Sequence, residues 1–142
     1  MIRPFEPQDM DAVLDIWLRC SVSAHSFIDR AYWEKQLDAM RRHYLPSART
    51  FVHQDDATRR ITGFVSLTGN FVAALFVDPD CQSEGIGRNL LGRADSLHEN
   101  LRLSVYAENL KAVRFYLRQG FRITGQQNDP DTGHEELSMQ RG

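Results

Sequence analysis

Apolar residues recur along this chain at two different periods, and each period predicts a different element. Met10, Val13, Leu14 and Trp17 return every three or four residues behind a Pro7-Gln8-Asp9 start, which predicts an amphipathic helix. Trp33, Leu37, Met40 and Tyr44 repeat the pattern, and Pro46 is expected to end that second helix, because proline brings no N–H to the ladder. Ile86, Leu90, Leu91, Ala94 and Leu97 mark a third helix. Ala112, Val113, Phe115, Tyr116 and Gln119 mark a fourth, closed by Gly120. Between the first two helices, Ser21 to Phe27 mixes polar and aromatic residues without a period and reads as a loop.

Short runs of β-type residues fill the remainder. Ile2 to Phe5 predicts a first strand, and Thr50 to His53 pairs with Ile61 to Leu67 around the polar turn Asp55 to Arg60. Phe71 to Val77 is unbroken apolar sequence, as expected of a strand buried on both faces. Leu101 to Tyr106 is a further strand, and Phe121 to Thr124 with Glu136 to Met139 flanks the Asp129-Pro-Asp-Thr-Gly133 turn as a hairpin. The order β-α-α-β-β-β-α-β-α-β-β implies one α/β (α+β) domain over residues 1–142, with a mixed six- to seven-stranded sheet and helices on both faces.

Composition narrows the function classes. Of 142 residues, 42% are hydrophobic and 25% charged, which suits an ordinary globular domain. Seventeen Lys and Arg against nineteen Asp and Glu leave a net charge of −2, without the basic excess of a dedicated nucleic-acid binder. Cys20 and Cys81 lie far apart and the five histidines show no ligand spacing, so neither a disulfide framework nor a metal site is expected. Met1 to Pro7 lacks the apolar core of a signal peptide, and no apolar run approaches the ~20 residues of a membrane span. A cytoplasmic protein without membrane contact is expected.

The candidate chemistry begins at Asp80 to Ala94, DCQSEGIGRNLLGRA. A strand, a glycine turn and a helix N-terminus together present N–H groups and partial positive charge to an anion. Gly85 and Gly87 would let a phosphate approach closely, and Arg88 adds a cation. The position three after Gly87 is Leu90, so the dinucleotide pattern G-x-G-x-x-G fails, and G-K-[ST] is absent. Taken alone, the segment reads equally well as a helix entered by a tight turn.

A second segment, SVYAENLKAVRFYLRQGF from Ser104 to Phe121, changes the weighing. Q-x-x-G-x-G-R-x-L-L matches at Gln82, Gly85, Gly87, Arg88, Leu90 and Leu91. E-N-x-x-A-x-x-F-Y-x-x-x-G-F matches at Asn109, Ala112, Phe115, Tyr116, Gly120 and Phe121. The pair resembles the two signature motifs of the GNAT N-acetyltransferases, and LFVDPD, Leu75 to Asp80, is similar to that family's fourth strand and its exit. FVAALFVDPD together with FIDRAYW looks most like small bacterial members proposed to act on lysines.

The resemblance implies an acetyl-coenzyme A-dependent N-acetyltransferase using direct attack by an amine. It implies that the pyrophosphate is held by backbone N–H groups from Ser83, Glu84, Gly85, Ile86, Gly87 and Arg88, with Gln82 beside them. Leu75, Phe76 and Val77 would pair with the pantetheine arm as with an added strand. A β-bulge in that strand would free an N–H to polarise the thioester carbonyl. Tyr116 would be the general acid for the leaving thiolate. Asn109 would orient the cofactor or the amine, or cap the last helix.

Ser104 departs from the family pattern, because many relatives carry a glutamate there. Phe71 to Val77 holds no acid either, so the expectation is attack by the small free-amine fraction, or proton removal through water held by Ser104. Phe27, Trp33 and Phe71 are candidates for the acceptor side, with His25, Ser26 and Tyr32 near them in sequence. The acceptor stays open among a protein lysine, a peptide N-terminus and a small amine, and the protein is expected to be a monomer or homodimer. A non-catalytic acyl-coenzyme A-binding module is the alternative, and a nucleotide-binding domain is disfavoured by the missing glycine.

Overall fold

The computed structural model describes residues 1–82 and 84–142. Seven strands form one sheet in the order β1-β2-β3-β4-β5-β7-β6. They are β1 (Ile2–Pro4), β2 (Arg49–Gln54), β3 (Ile61–Thr68), β4 (Phe71–Val77), β5 (Arg102–Tyr106), β6 (Arg122–Asn128) and β7 (Glu135–Gln140). Every pairing is antiparallel except β4 with β5. The helices are α1 (Met10–Ala24), α2 (Arg30–Ala39), the single turn α3 (Leu45–Ser47), α4 (Ile86–Asp95) and α5 (Leu110–Arg118).

The sheet separates two cores because side chains alternate across each strand. Val13, Ile16, Trp17 and Trp33 of α1 and α2 pack with Val52 and Phe64 on one face. Leu90, Leu91, Val113 and Tyr116 of α4 and α5 pack with Val65, Leu103, Val105 and Met139 on the other. Phe64 and Val65, successive in β3, are both wholly buried, one in each core. β3 is therefore covered on both faces, as is β2 at Phe51 and Val52.

Three expectations need correction. β4 was expected to be buried on both faces, yet only Val72 of its seven residues is buried. It pairs with β5 only through Phe71 and Arg102. Beyond that point the two parallel strands part, and the freed edge of β4 faces a cleft. The expected loop from Ser21 to Phe27 is helical as far as Ala24, because Ser21 lies wholly buried in the turn that α1 packs inward. Pro46 does not stop the second helix, which runs on through a π-type segment, Met40–Tyr44, into α3. The wider ladder there accommodates a residue that has no N–H to donate.

Candidate active site

The parting of β4 and β5 opens a cleft of about 880 Å³, walled by α1, β4, α4, β5 and α5. Its geometry starts with a defect in β4. Ser66 pairs with Ala74 and Leu67 with Val72, which leaves Ala73 as one extra residue on β4. Such a bulge turns one peptide unit out of the ladder. Ala73 is exposed and lines the cleft. Leu75, Phe76 and Val77 follow it along the same wall, half-buried.

The end of β4 is pinned to α1. Asp78, 1% exposed, accepts from Arg19 Nη2 at 2.8 Å, from Arg60 Nη2 at 3.3 Å and from the backbone N–H of Asp80 at 2.9 Å. The Arg19 guanidinium holds its carboxyl below the usual carboxylate range. The Val77 carbonyl accepts from Cys20 Sγ at 3.1 Å and from Gln82 Nε2 at 3.2 Å. Burial pushes the Cys20 thiol up to about 12, so it is a neutral donor in this contact.

Gly85 opens α4 in the left-handed conformation, φ 81°, with open space where a side chain would stand. Only glycine enters that conformation without strain. Gly85, Ile86, Gly87 and Arg88 all line the cleft, with Gln82. Lys111 Nζ, from α5, donates to Gln82 Oε1 at 2.5 Å, and Lys111 and Arg118 add positive charge to this end. Glu84 is exposed and does not line the cleft, and Ser83 lies outside the described residues. A helix N-terminus with glycine access, three cations and an unpaired strand edge fits a phosphate-bearing, amide-containing group such as coenzyme A.

α5 brings the motif residues to the same cleft. The Asn109 side chain caps the helix by accepting from Ala112 N at 3.3 Å. Tyr116 is 8% exposed and is held edge-on between Phe115 and Phe121, at centroid distances of 5.2 and 5.5 Å. Burial pushes its phenol well above the ordinary tyrosine value. Ser104, on β5, is exposed on the cleft wall.

An aromatic cluster closes the other end. His25 stacks on Trp33 at 5.1 Å and meets Tyr106 edge-on at 5.1 Å. Burial brings the His25 imidazole down to about 4, partly offset by the nearby Ser21 carbonyl. Trp33 lines the cleft, whereas Phe27 packs against His25 and Tyr106 without lining it. Phe71 is not brought to the cleft. It stands before the point where β4 leaves β5, and its ring takes the Arg102 guanidinium at 5.1 Å.

The sequence pattern marks Tyr106 only as a strand residue and does not mark Glu136 as a site residue. The Tyr106 hydroxyl donates to Asp129 Oδ2 at 2.5 Å, and Glu136 lines the cleft from β7. Neither role has a signature in sequence, since both depend on the pairing of β5 with β7. Among the described residues, no group of three or more His, Cys, Asp and Glu is placed to hold a metal, and no helix is long and apolar enough to cross a membrane.

Residues 18–140 match the model of the acetyltransferase (GNAT) domain. The chain belongs to the GNAT acetyltransferase family. It is an N-acetyltransferase. Over 124 residues it is 37% identical to the peptidyl-lysine N-acetyltransferase YiaC of Escherichia coli K12, covering 87% of this chain and 84% of that one. The solution structure of apo-form YjaB from Escherichia coli superposes with a TM-score of 0.86 at 30% identity, over 99% of this chain and 95% of that one. The PaiA N-acetyltransferase of Thermoplasma acidophilum, solved in complex with coenzyme A, shares the fold at a TM-score of 0.80 and 17% identity, over 99% and 97% of the two chains.

Proposed function

We propose that this acetyltransferase moves an acetyl group from acetyl-coenzyme A to the ε-amine of a protein lysine, in the cytoplasm. The observation that carries the reading is the two-ended cleft. Cations Arg88, Lys111 and Arg118 line one end, and aromatic and acidic residues gather at the other. Residues 123–140 hold Asp129, Asp131, Glu135 and Glu136 and no Lys or Arg. One end suits an anionic cofactor and the other a cationic amine on an apolar stem. The relationship to YiaC supports lysine as that amine.

Bound acetyl-coenzyme A supplies the activated acetyl group. The N–H groups opening α4 at Gly85, Ile86, Gly87 and Arg88 receive its phosphates, with Gln82 tied to Lys111 beside them. The free edge of Leu75, Phe76 and Val77 pairs with the pantetheine amides. An N–H at the Ala73 bulge polarises the acyl oxygen. Tyr116, a phenol that is protonated at neutral pH even before burial raises it further, would donate to the departing sulfur. Asn109 orients the amine through its place beside His25, and Trp33 packs along the lysine stem.

The test is turnover with a lysine peptide, an N-terminal amine peptide and a polyamine at equal concentration. Thiol release led by the lysine peptide supports the reading. Binding of acetyl-coenzyme A without thiol release from any amine would make the protein a binding module.

A further inference from the structure

The position that Ser104 occupies leaves the acceptor ammonium without an acid on β5. Two carboxylates line the cleft among the described residues, Glu108 and Glu136. Glu108 is exposed and faces His134 Nδ1 at 3.2 Å. Glu136 is half-buried on β7, in register with Tyr106, two pairs along from Ser104 and Ser138. Cross-strand partners share a face, so Ser104, Tyr106, Glu136 and Ser138 all point to the acceptor side of the sheet. Gln127 Nε2 donates to Glu136 Oε1 at 3.2 Å, and Oε2 has no hydrogen bond among the described residues.

The alternative bases are occupied or wrongly protonated. His25 Nε2 is already engaged by Asn109 Nδ2, and its buried imidazole is a weak base. Tyr106 is bound to Asp129, and burial raises its phenol. Cys20 gives its thiol hydrogen to Val77. We propose that Glu136, reaching from β7 to the place before Ser104, is the general base that takes the proton from the acceptor ammonium. This rests on the amine-acetyltransferase reading above.

The step balances as follows. An N–H bond of the ammonium breaks, and its proton passes to Glu136 Oε2 directly or through one water. The freed nitrogen lone pair forms the C–N bond as the C–S bond breaks, and the sulfur takes the Tyr116 proton. The nitrogen loses its second surplus proton, which restores the phenol. Glu136 then releases its proton to solvent, one for each acetyl group transferred. The groups facing Glu136 are Tyr106 and Ser104 from β5, Gln127 from β6, Asp129 behind Tyr106, and the Glu108–His134 pair at the rim.

The experiment is the pH profile of kcat/KM for a lysine peptide with wild type, Glu136→Gln, Glu108→Gln and the double variant Ser104→Glu/Glu136→Gln. Wild type should level off near neutrality, and E136Q should fall by about 10²-fold or more there and climb steadily with pH, closing the gap towards the lysine pKa of about 10.4. Acetyl-coenzyme A affinity should not change, E108Q should follow wild type, and the glutamate restored on β5 should bring back much of the plateau. An E136Q profile parallel to an active wild type and within roughly threefold of it would overturn this proposal alone. A wild type that binds acetyl-coenzyme A but releases thiol with no amine would overturn the transferase reading and this proposal with it.

Discussion

Asn109 Nδ2 lies 3.3 Å from His25 Nε2, so the cap of α5 is joined to the C-terminal end of α1 across the cleft. Because Asn109 Oδ1 accepts from Ala112 N, the amide must offer its NH₂ group to the imidazole. His25 Nε2 therefore accepts, and the ring proton sits on Nδ1. The bond holds only while the imidazole is neutral, which its burial enforces.

That state has a cost in acid. The unfolded chain protonates this imidazole near its ordinary value of 6.5, whereas the folded chain does so only at about 4. The folded form binds fewer protons in between, so stability should fall as pH drops from about 6.5 to about 4. The loss attributable to His25 is on the order of 3 kcal/mol. Denaturant unfolding of wild type and His25→Gln across that range checks it, and the variant should show a shallower decline.

Asp78 should contribute at lower pH. Its carboxyl is held below the usual range by Arg19, so its stabilisation is present above the unfolded value of 3.8 and is lost as pH falls through the folded one. Asp78→Ala at neutral pH leaves Arg19 and Arg60 without their shared partner and loosens the end of β4. A destabilisation of about 1–3 kcal/mol is expected, and chemical denaturation measures it.

Gly87→Asp separates binding from folding. A Cβ at this position meets Phe115 Cζ at 3.5 Å, an ordinary contact, and an acid in the first turn suits a helix N-terminus. The carboxylate would repel phosphate groups at the cradle. Calorimetry should show acetyl-coenzyme A affinity reduced tenfold or more, a loss of at least about 1.4 kcal/mol, with Tm near that of wild type.

Tyr116→Phe keeps the ring between Phe115 and Phe121 and removes only the hydroxyl. kcat should drop by about 10²–10⁴-fold with little change in acetyl-coenzyme A affinity. Steady-state kinetics with calorimetry on the same preparation distinguishes this from a packing role, which would lower Tm and leave kcat largely intact.

Element order, both motifs and the placement of Tyr116, Asn109 and Gly85 were legible because each has a local signature: an apolar period, a cap or a glycine turn. Where sequence reading failed, the controlling feature was not local. The apolar run of β4 looks doubly buried, but its exposure depends on β5 turning away after one pair. The bulge at Ala73 exists only in the register with β3. Glu136 is one of two adjacent glutamates, and only its pairing opposite Tyr106 tells which of them faces the cleft.

Acetyl transfer to a lysine ε-amine can be read from a single peptide by mass spectrometry. The peptide carries a free N-terminus and a single internal lysine, and it is incubated with enzyme and acetyl-coenzyme A at neutral pH. The expected result is one acetyl group per peptide, mapped to the lysine, with thiol released in equal amount and neither product formed by Tyr116→Phe at a comparable rate. Acetyl groups confined to the N-terminus, or none at all from a protein that binds acetyl-coenzyme A, would contradict it.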